Sequence, residues 1–117
     1  MKVERFIDVA VLAEFVSVVG PHDAEDMLRV FRDSARGSWP SVAEVGTTGL
    51  QAHAHRLRGG AMTLGFRALA DAALALEAAI SEGEPWQPHF ERLTVELGGA
   101  VEALEDACIA ALVAAAA

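Results

Sequence analysis

His55 is the residue of this sequence with the clearest chemistry to offer. It opens the run His55-Arg56-Leu57-Arg58-Gly59-Gly60-Ala61-Met62-Thr63-Leu64-Gly65-Phe66, in surroundings that are helical in pattern, acidic, and short of other catalytic residue types. An imidazole in ordinary surroundings has a pKa of about 6.5, so near neutral pH a neutral ring nitrogen is on hand as a nucleophile. Phosphorus in a partner's acyl phosphate is a suitable electrophile, and carrying a phosphoryl group is the best use for such a histidine. Residues three and four apart on a helix are neighbours, so Arg58 reaches the space beside His55 and can hold a phosphoryl oxygen there. Gly59 sits one turn beyond His55 on the same side, where an ordinary side chain would crowd an approaching partner. Two mid-helix glycines cost about 1 kcal/mol each relative to alanine, and access for a partner is the reason read here for Gly59-Gly60.

The helix that carries His55 has a well-defined core face. At about 100° per residue, Leu50, Ala54, Leu57, Ala61 and Leu64 fall within roughly 80° of arc. His55 lies roughly 140° from the centre of that arc, which makes it exposed, partway along a rigid element. Gly65 ends the helix by taking the left-handed conformation, with Phe66 packing back on the last turn. The chain then reverses, and Leu69, Ala72, Ala73, Leu76 and Ile80 form the apolar stripe of a fourth helix. Glu77 lies as far beyond the turn as His55 lies before it, to within two residues, so antiparallel helices of equal rise bring the two to similar heights. Glu77 is then placed to accept a hydrogen bond from one ring nitrogen, leaving the other free to attack.

The remaining segments are helical as well, since no run of β-branched residues alternates with polar ones. A first helix over 3–19 places Phe6, Val9, Ala13 and Val16 on one face and stops at Gly20-Pro21. Asp23 caps a second helix with Met27, Leu28, Phe31 and Ala35 inward and Arg29, Arg32 and Asp33 outward. A break is expected around Gly37-Ser38-Trp39-Pro40, with Trp39, Val42 and Val45 continuing the apolar face. Gly46-Thr47-Thr48-Gly49 reads as a turn, with Thr47 or Thr48 capping the third helix. Gly83-Glu84-Pro85 ends the fourth, and one last helix over 86–113 repeats Phe90, Leu93, Leu97, Ala100, Leu104, Ala107 and Ala111. The expected fold is all-α: an antiparallel four-helix bundle with an additional N-terminal helix packed across one end.

Composition sets the outer limits. A chain of 117 residues that is 53% hydrophobic suits one compact domain, here residues 1–117. A net charge of −8, with only 9 Lys and Arg, excludes a general nucleic-acid binder and makes an anionic membrane surface a poor partner. Cys108 is the sole cysteine, so an intramolecular disulfide and a Cys-based zinc site are both excluded. Glu4, Asp8 and Glu14 interrupt the N-terminal apolar run, which argues against a signal peptide and for a cytoplasmic protein. His53 and His55, two apart on a helix, point to different sides and cannot share a metal, and no metal site is expected.

The span His55-x-Leu57-Arg58-Gly59-Gly60-Ala61-x-x-Leu64-Gly65-x-x-x-Leu69, followed by Leu76-Glu77, resembles the signature of histidine-containing phosphotransfer (HPt) domains. Upstream, Leu12-Ala13-Glu14, Val19-Gly20 and Leu28 to Phe31 resemble the family's opening helices, so the likeness covers residues 8 to about 110. The resemblance implies that His55 is the phosphorylated residue of a two-component phosphorelay, shuttling phosphate between aspartates of receiver domains. It implies a phosphocarrier with no nucleotide-binding site of its own and no cofactor in the chain, Mg belonging to the partner receiver. The implied partners are response-regulator receiver domains and a histidine kinase, with the chain itself a monomer. Gly60, Ala61, Thr63, Gly65 and Phe66 look more like the HPt domain of chemotaxis-type kinases, an alternative source of phosphate, as is a hybrid kinase. Arg58 stands where the family usually has lysine, replacing a point charge by a planar fork. Ala73 stands where a cysteine is common.

Weaker readings stand beside these. A lone helical histidine is usually surface decoration, and the surrounding pattern is what singles out His55. Arg56 and Arg58 are either solubilising charges or the groups that meet a receiver's acidic pocket and steer docking. Met62, close to the His55 face, suits a partner's helix or packs at the core edge. A bundle that docks a receiver or kinase without being phosphorylated is the competing function, although such a module has no need of His55, Arg58, Gly59 and Glu77 together.

Overall fold

Helix ends in this chain are set by a few residues with particular backbone chemistry. The computed structural model describes the backbone of residues 6–38 and 42–117, so the expected helix start at residues 3–5 and the expected break at Trp39-Pro40 lie outside the described residues. Among the described residues six helices follow in order: α1 (Val9–Val19), α2 (Pro21–Ser38), α3 (Val42–Leu64), α4 (Arg67–Glu82), α5 (Gln87–Ala103) and α6 (Asp106–Ala116). Asp8 caps α1, its carboxylate accepting from the N–H groups of Ala10 and Val11 at 3.0 and 3.3 Å. Pro21 begins α2, the position where a missing N–H and a fixed φ do no harm. Asp23 therefore sits in the first turn of α2 rather than capping it. The break expected around Gly46-Thr47-Thr48-Gly49 falls at Gly46, whose φ of 68° and ψ of 178° are non-helical. Thr47 and Thr48 are already inside the helix that follows.

Helices α2, α3, α4 and α5 form a ring in which each packs on the next and α2 closes against α5, while α1 and α6 pack on each other and both on α2. The core consists of the faces expected from spacing: Leu50, Ala54, Ala61 and Leu64 of α3 meet Leu69, Ala72, Ala73 and Leu76 of α4. Each fully buried leucine removes enough apolar surface from water to contribute about 2 kcal/mol. Leu57, also expected inside, is half-buried. Phe66 is buried and stacks on Phe31 of α2 with ring centroids 5.3 Å apart. A Cβ at Gly60 would lie 3.3 Å from the Phe31 ring, so Gly60 is there to let α2 close on α3; its reason is packing, not partner access. Met27, expected inward, is exposed.

The largest departure from expectation is at the C-terminal end. Instead of one helix over 86–113, α5 stops at Ala103 and α6 starts at Asp106. Leu104 (φ −98°, ψ 33°) and Glu105 (φ −60°, ψ 149°) make a corner. Arg32, expected on the outer face of α2, is buried instead and donates from Nη1 to the Leu104 carbonyl at 3.1 Å. The same guanidinium hydrogen-bonds Asp106, and its Nε–H donates to Asp33 at 2.9 Å. The corner shifts the register: Ala107 and Ala111 face solvent, and Ile109, Leu112 and Val113 enter the core.

The hydrogen bond and the charge of Arg32 hold the Asp106 carboxyl below its ordinary pKa of 3.8. A group whose pKa is lowered by folding stabilises the fold above its unfolded pKa, and that contribution drains away as pH falls through the folded value. The stability difference between wild type and Asp106→Asn, from urea unfolding, is accordingly expected to be larger at about pH 7 than at about pH 3. An equal difference at both would remove Asp106 as the partner that secures the corner.

Candidate functional site

Position on α3 decides what His55 can meet. Its side chain is 66% exposed, rotated about 100° around the helix from the buried Ala54, and it leans toward α4. There the hairpin closed at Gly65 brings Glu77 level with it. Glu77 Oε1 lies 2.7 Å from His55 Nδ1, and Glu77 Oε2 accepts from Arg58 Nε–H at 2.8 Å. A carboxylate only accepts, so the imidazole proton that faces it sits on Nδ1 and the lone pair sits on Nε2. Arg58 Nη2 is 3.2 Å from the same Nδ1, but a guanidinium only donates, so this approach is an electrostatic contact and not a second hydrogen bond. The Glu77 side chain is only 13% exposed, which keeps its two bonds sheltered while the ring they orient remains open to solvent.

The other expected site residues fall as follows. Arg58 is not a free cation beside the ring, because Glu77 claims its Nε; the two outer guanidinium nitrogens are not bonded to Glu77, and Nη1 lies 4.0 Å from Met62 Sδ. Met62 is exposed. Arg56 is exposed and, among the described residues, makes no ion pair, in contrast to Arg29, Arg32, Arg36, Arg58 and Arg67. Gly59 is exposed, and a Cβ there would meet nothing within 4 Å. No described residue therefore requires a glycine at 59, and the open surface beside His55 is the property it confers. Between α2 and α3 runs a groove of about 550 Å³, with Met27, Val30, Phe31 and Leu57 on its walls and His53 and Arg56 at its edge. His53 thus faces α2 while His55 faces α4, as their two-residue spacing requires.

One residue escaped the sequence reading. Gln51, one turn before His55, donates from Nε2 to the backbone carbonyl of Glu77 at 3.2 Å. Its spacing of four from His55 and seven from Arg58 puts it on the same stripe of α3, and that stripe was the available signal.

The model of one family, described as the Hpt domain, matches residues 22–112. The chain belongs to the Hpt domain family. Hpt domains are phosphotransfer modules of two-component signalling, carriers that deal with kinases and receiver domains. The match spans α2 to the middle of α6 and so includes the whole bundle and the His55–Glu77 pair. No curated protein and no solved structure matches the chain. Among the described residues, no helix of this Hpt domain is long and apolar enough to cross a membrane.

Proposed function

We propose that this Hpt domain carries a phosphoryl group on His55 Nε2, taking it from the aspartyl phosphate of one receiver domain and passing it to the aspartate of another. The observation that carries this reading is the 2.7 Å approach of Glu77 Oε1 to Nδ1, which assigns the lone pair to the outward-facing nitrogen. In the transfer, the Nε2 lone pair forms the N–P bond while the P–O bond to the donor carboxylate breaks, and the carboxylate leaves with the electron pair. The imidazole becomes cationic as the bond forms, and Glu77, already on the Nδ1 proton, stabilises that charge. Arg58 pairs with Glu77 through Nε–H, and its outer N–H groups supply positive charge near the phosphoryl oxygens. Arg56, without an ion pair among the described residues of a chain of net charge −8, meets the acidic pocket of the receiver, and Gly59 and Met62 give the partner room and an apolar contact.

Incubating the protein with a panel of phosphorylated receiver domains in the presence of Mg, and separately with ATP and the ATP-binding domain of a histidine kinase, tests the assignment. Acid-labile, alkali-stable label from receivers is the expected result. Label from the kinase domain alone would make this a chemotaxis-type domain, and no label from either would leave a docking module. Arg58→Ala is expected to slow labelling about tenfold without abolishing it, because Glu77 loses its charged partner but stays on Nδ1. Single-turnover rates against one phosphorylated receiver measure this, and an unchanged rate would reduce Arg58 to a surface charge.

A further inference from the structure

Three successive turns of α3 each send one side chain to the same residue of α4. Gln51, His55 and Arg58, at spacings of four and three, bond respectively to the backbone carbonyl, Oε1 and Oε2 of Glu77. We propose that Gln51 is a positioning residue for phosphoryl transfer: by tying the backbone of Glu77 to α3, it fixes the carboxylate that sets the tautomer of His55. This rests on the reading of His55 as the phosphoryl carrier.

The Gln51 bond is not needed to satisfy the group it reaches. Glu77 lies inside α4, where its carbonyl already accepts the N–H four residues on, so Gln51 uses the second lone pair. Nor is it needed to hold the hairpin together, since Leu50, Ala54 and Ala61 are wholly buried at the seam with Ala72, Ala73 and Leu76. The turn at Gly65 fixes the register at one end of that seam, and Gln51 lies toward the other. Ala54, Ala61, Ala72 and Ala73 present short side chains that interdigitate little, so packing alone resists axial slip weakly. An axial slip of about 2 Å would stretch the 2.7 Å approach of Nδ1 to Oε1 to the edge of hydrogen-bonding range. Arg58 gives no such protection, because a long flexible side chain follows the carboxylate wherever it goes. Gln51 ties the backbone of Glu77 to α3 one turn from the histidine, and so holds the register set by the Gly65 turn at the height where the imidazole proton meets its acceptor.

The test is Gln51→Met, which keeps length and helical preference and removes the N–H donor, with Gln51→Glu beside it as a second donor-free variant. The imidazole ¹⁵N shifts of His55 report the share of the Nδ1–H tautomer without any phosphoryl donor, and single-turnover labelling reports transfer. Both variants are expected to lose part of the Nδ1–H preference and to accept phosphate about fivefold more slowly, with the thermal midpoint little changed. Wild-type ¹⁵N shifts in the variants overturn the proposal, and so does slower labelling with unchanged shifts, which would mean a role in docking or folding only. His55→Gln is labelled in parallel: if it still accepts phosphate, the carrier assignment fails, whereas the tautomer measurement on Gln51 stands apart from it.

Discussion

Replacing His55 by glutamine is expected to abolish phosphoryl acceptance and leave the bundle folded. The side chain is 66% exposed and is not part of the buried core, and its polar contacts among the described residues are with Glu77 and Arg58. A glutamine amide can still donate to Glu77, so the carboxylate is not stranded, and the change in stability should stay within about 0.5 kcal/mol. What disappears is the nitrogen lone pair, since an amide is not a nucleophile toward phosphorus at neutral pH. Labelling should therefore drop at least about a hundredfold, while urea unfolding and the helical circular dichroism are unaltered. Retained acid-labile label would transfer the site to another histidine, and His53 would be the first to test because it lies on the same helix in the groove against α2.

The features of this site that were legible in the sequence are those fixed by local repeat geometry. Helical spacing alone gives the buried face of Leu50, Ala54, Ala61 and Leu64, and therefore the exposure of His55. Counting residues from Gly65 gives the pairing of His55 with Glu77, because both arms of a hairpin rise equally from one turn. The features that were not legible depend on partners far away in the chain. No glycine or proline marks Leu104 and Glu105, and the corner there is held by Arg32 from a position more than seventy residues earlier. The same contact explains why Arg32 is inside despite its place among the polar residues of α2. Gly59 and Gly60 look equivalent as neighbours, yet only Gly60 lies under Phe31, a ring contributed by another helix. Gln51 shares its stripe with His55, but a glutamine at helical spacing carries no chemistry of its own until its acceptor is seen to be the backbone of Glu77.

Gly65→Ala is expected to be the most damaging small substitution outside the core leucines, for two reasons that add. The φ of +95° at Gly65 belongs to the region that costs an L-residue about 1–2 kcal/mol. A Cβ there would also lie 2.7 Å from the carbonyl oxygen of Asp8, a backbone atom that cannot swing aside. Asp8 is at that distance because its N–H donates to the Gly65 carbonyl at 2.7 Å and its carboxylate takes Arg67 at 3.1 Å, pinning the start of α1 on the α3–α4 turn. Moving Asp8 away forfeits that docking, so the total loss should reach about 2–4 kcal/mol, or roughly 10–20 °C in melting temperature. Gly83→Ala separates the two contributions: Gly83 also has positive φ, at +70°, but a Cβ there would meet nothing within 4 Å. It should lose only the backbone part, about 1 kcal/mol. Gly65→Ala should in addition slow labelling of the molecules that remain folded, because that turn sets the common height of His55 and Glu77, whereas Gly83→Ala should leave labelling unchanged. Equal losses of stability in the two variants would show that the close approach of Asp8 adds nothing, and that the α3–α4 turn keeps its geometry without α1.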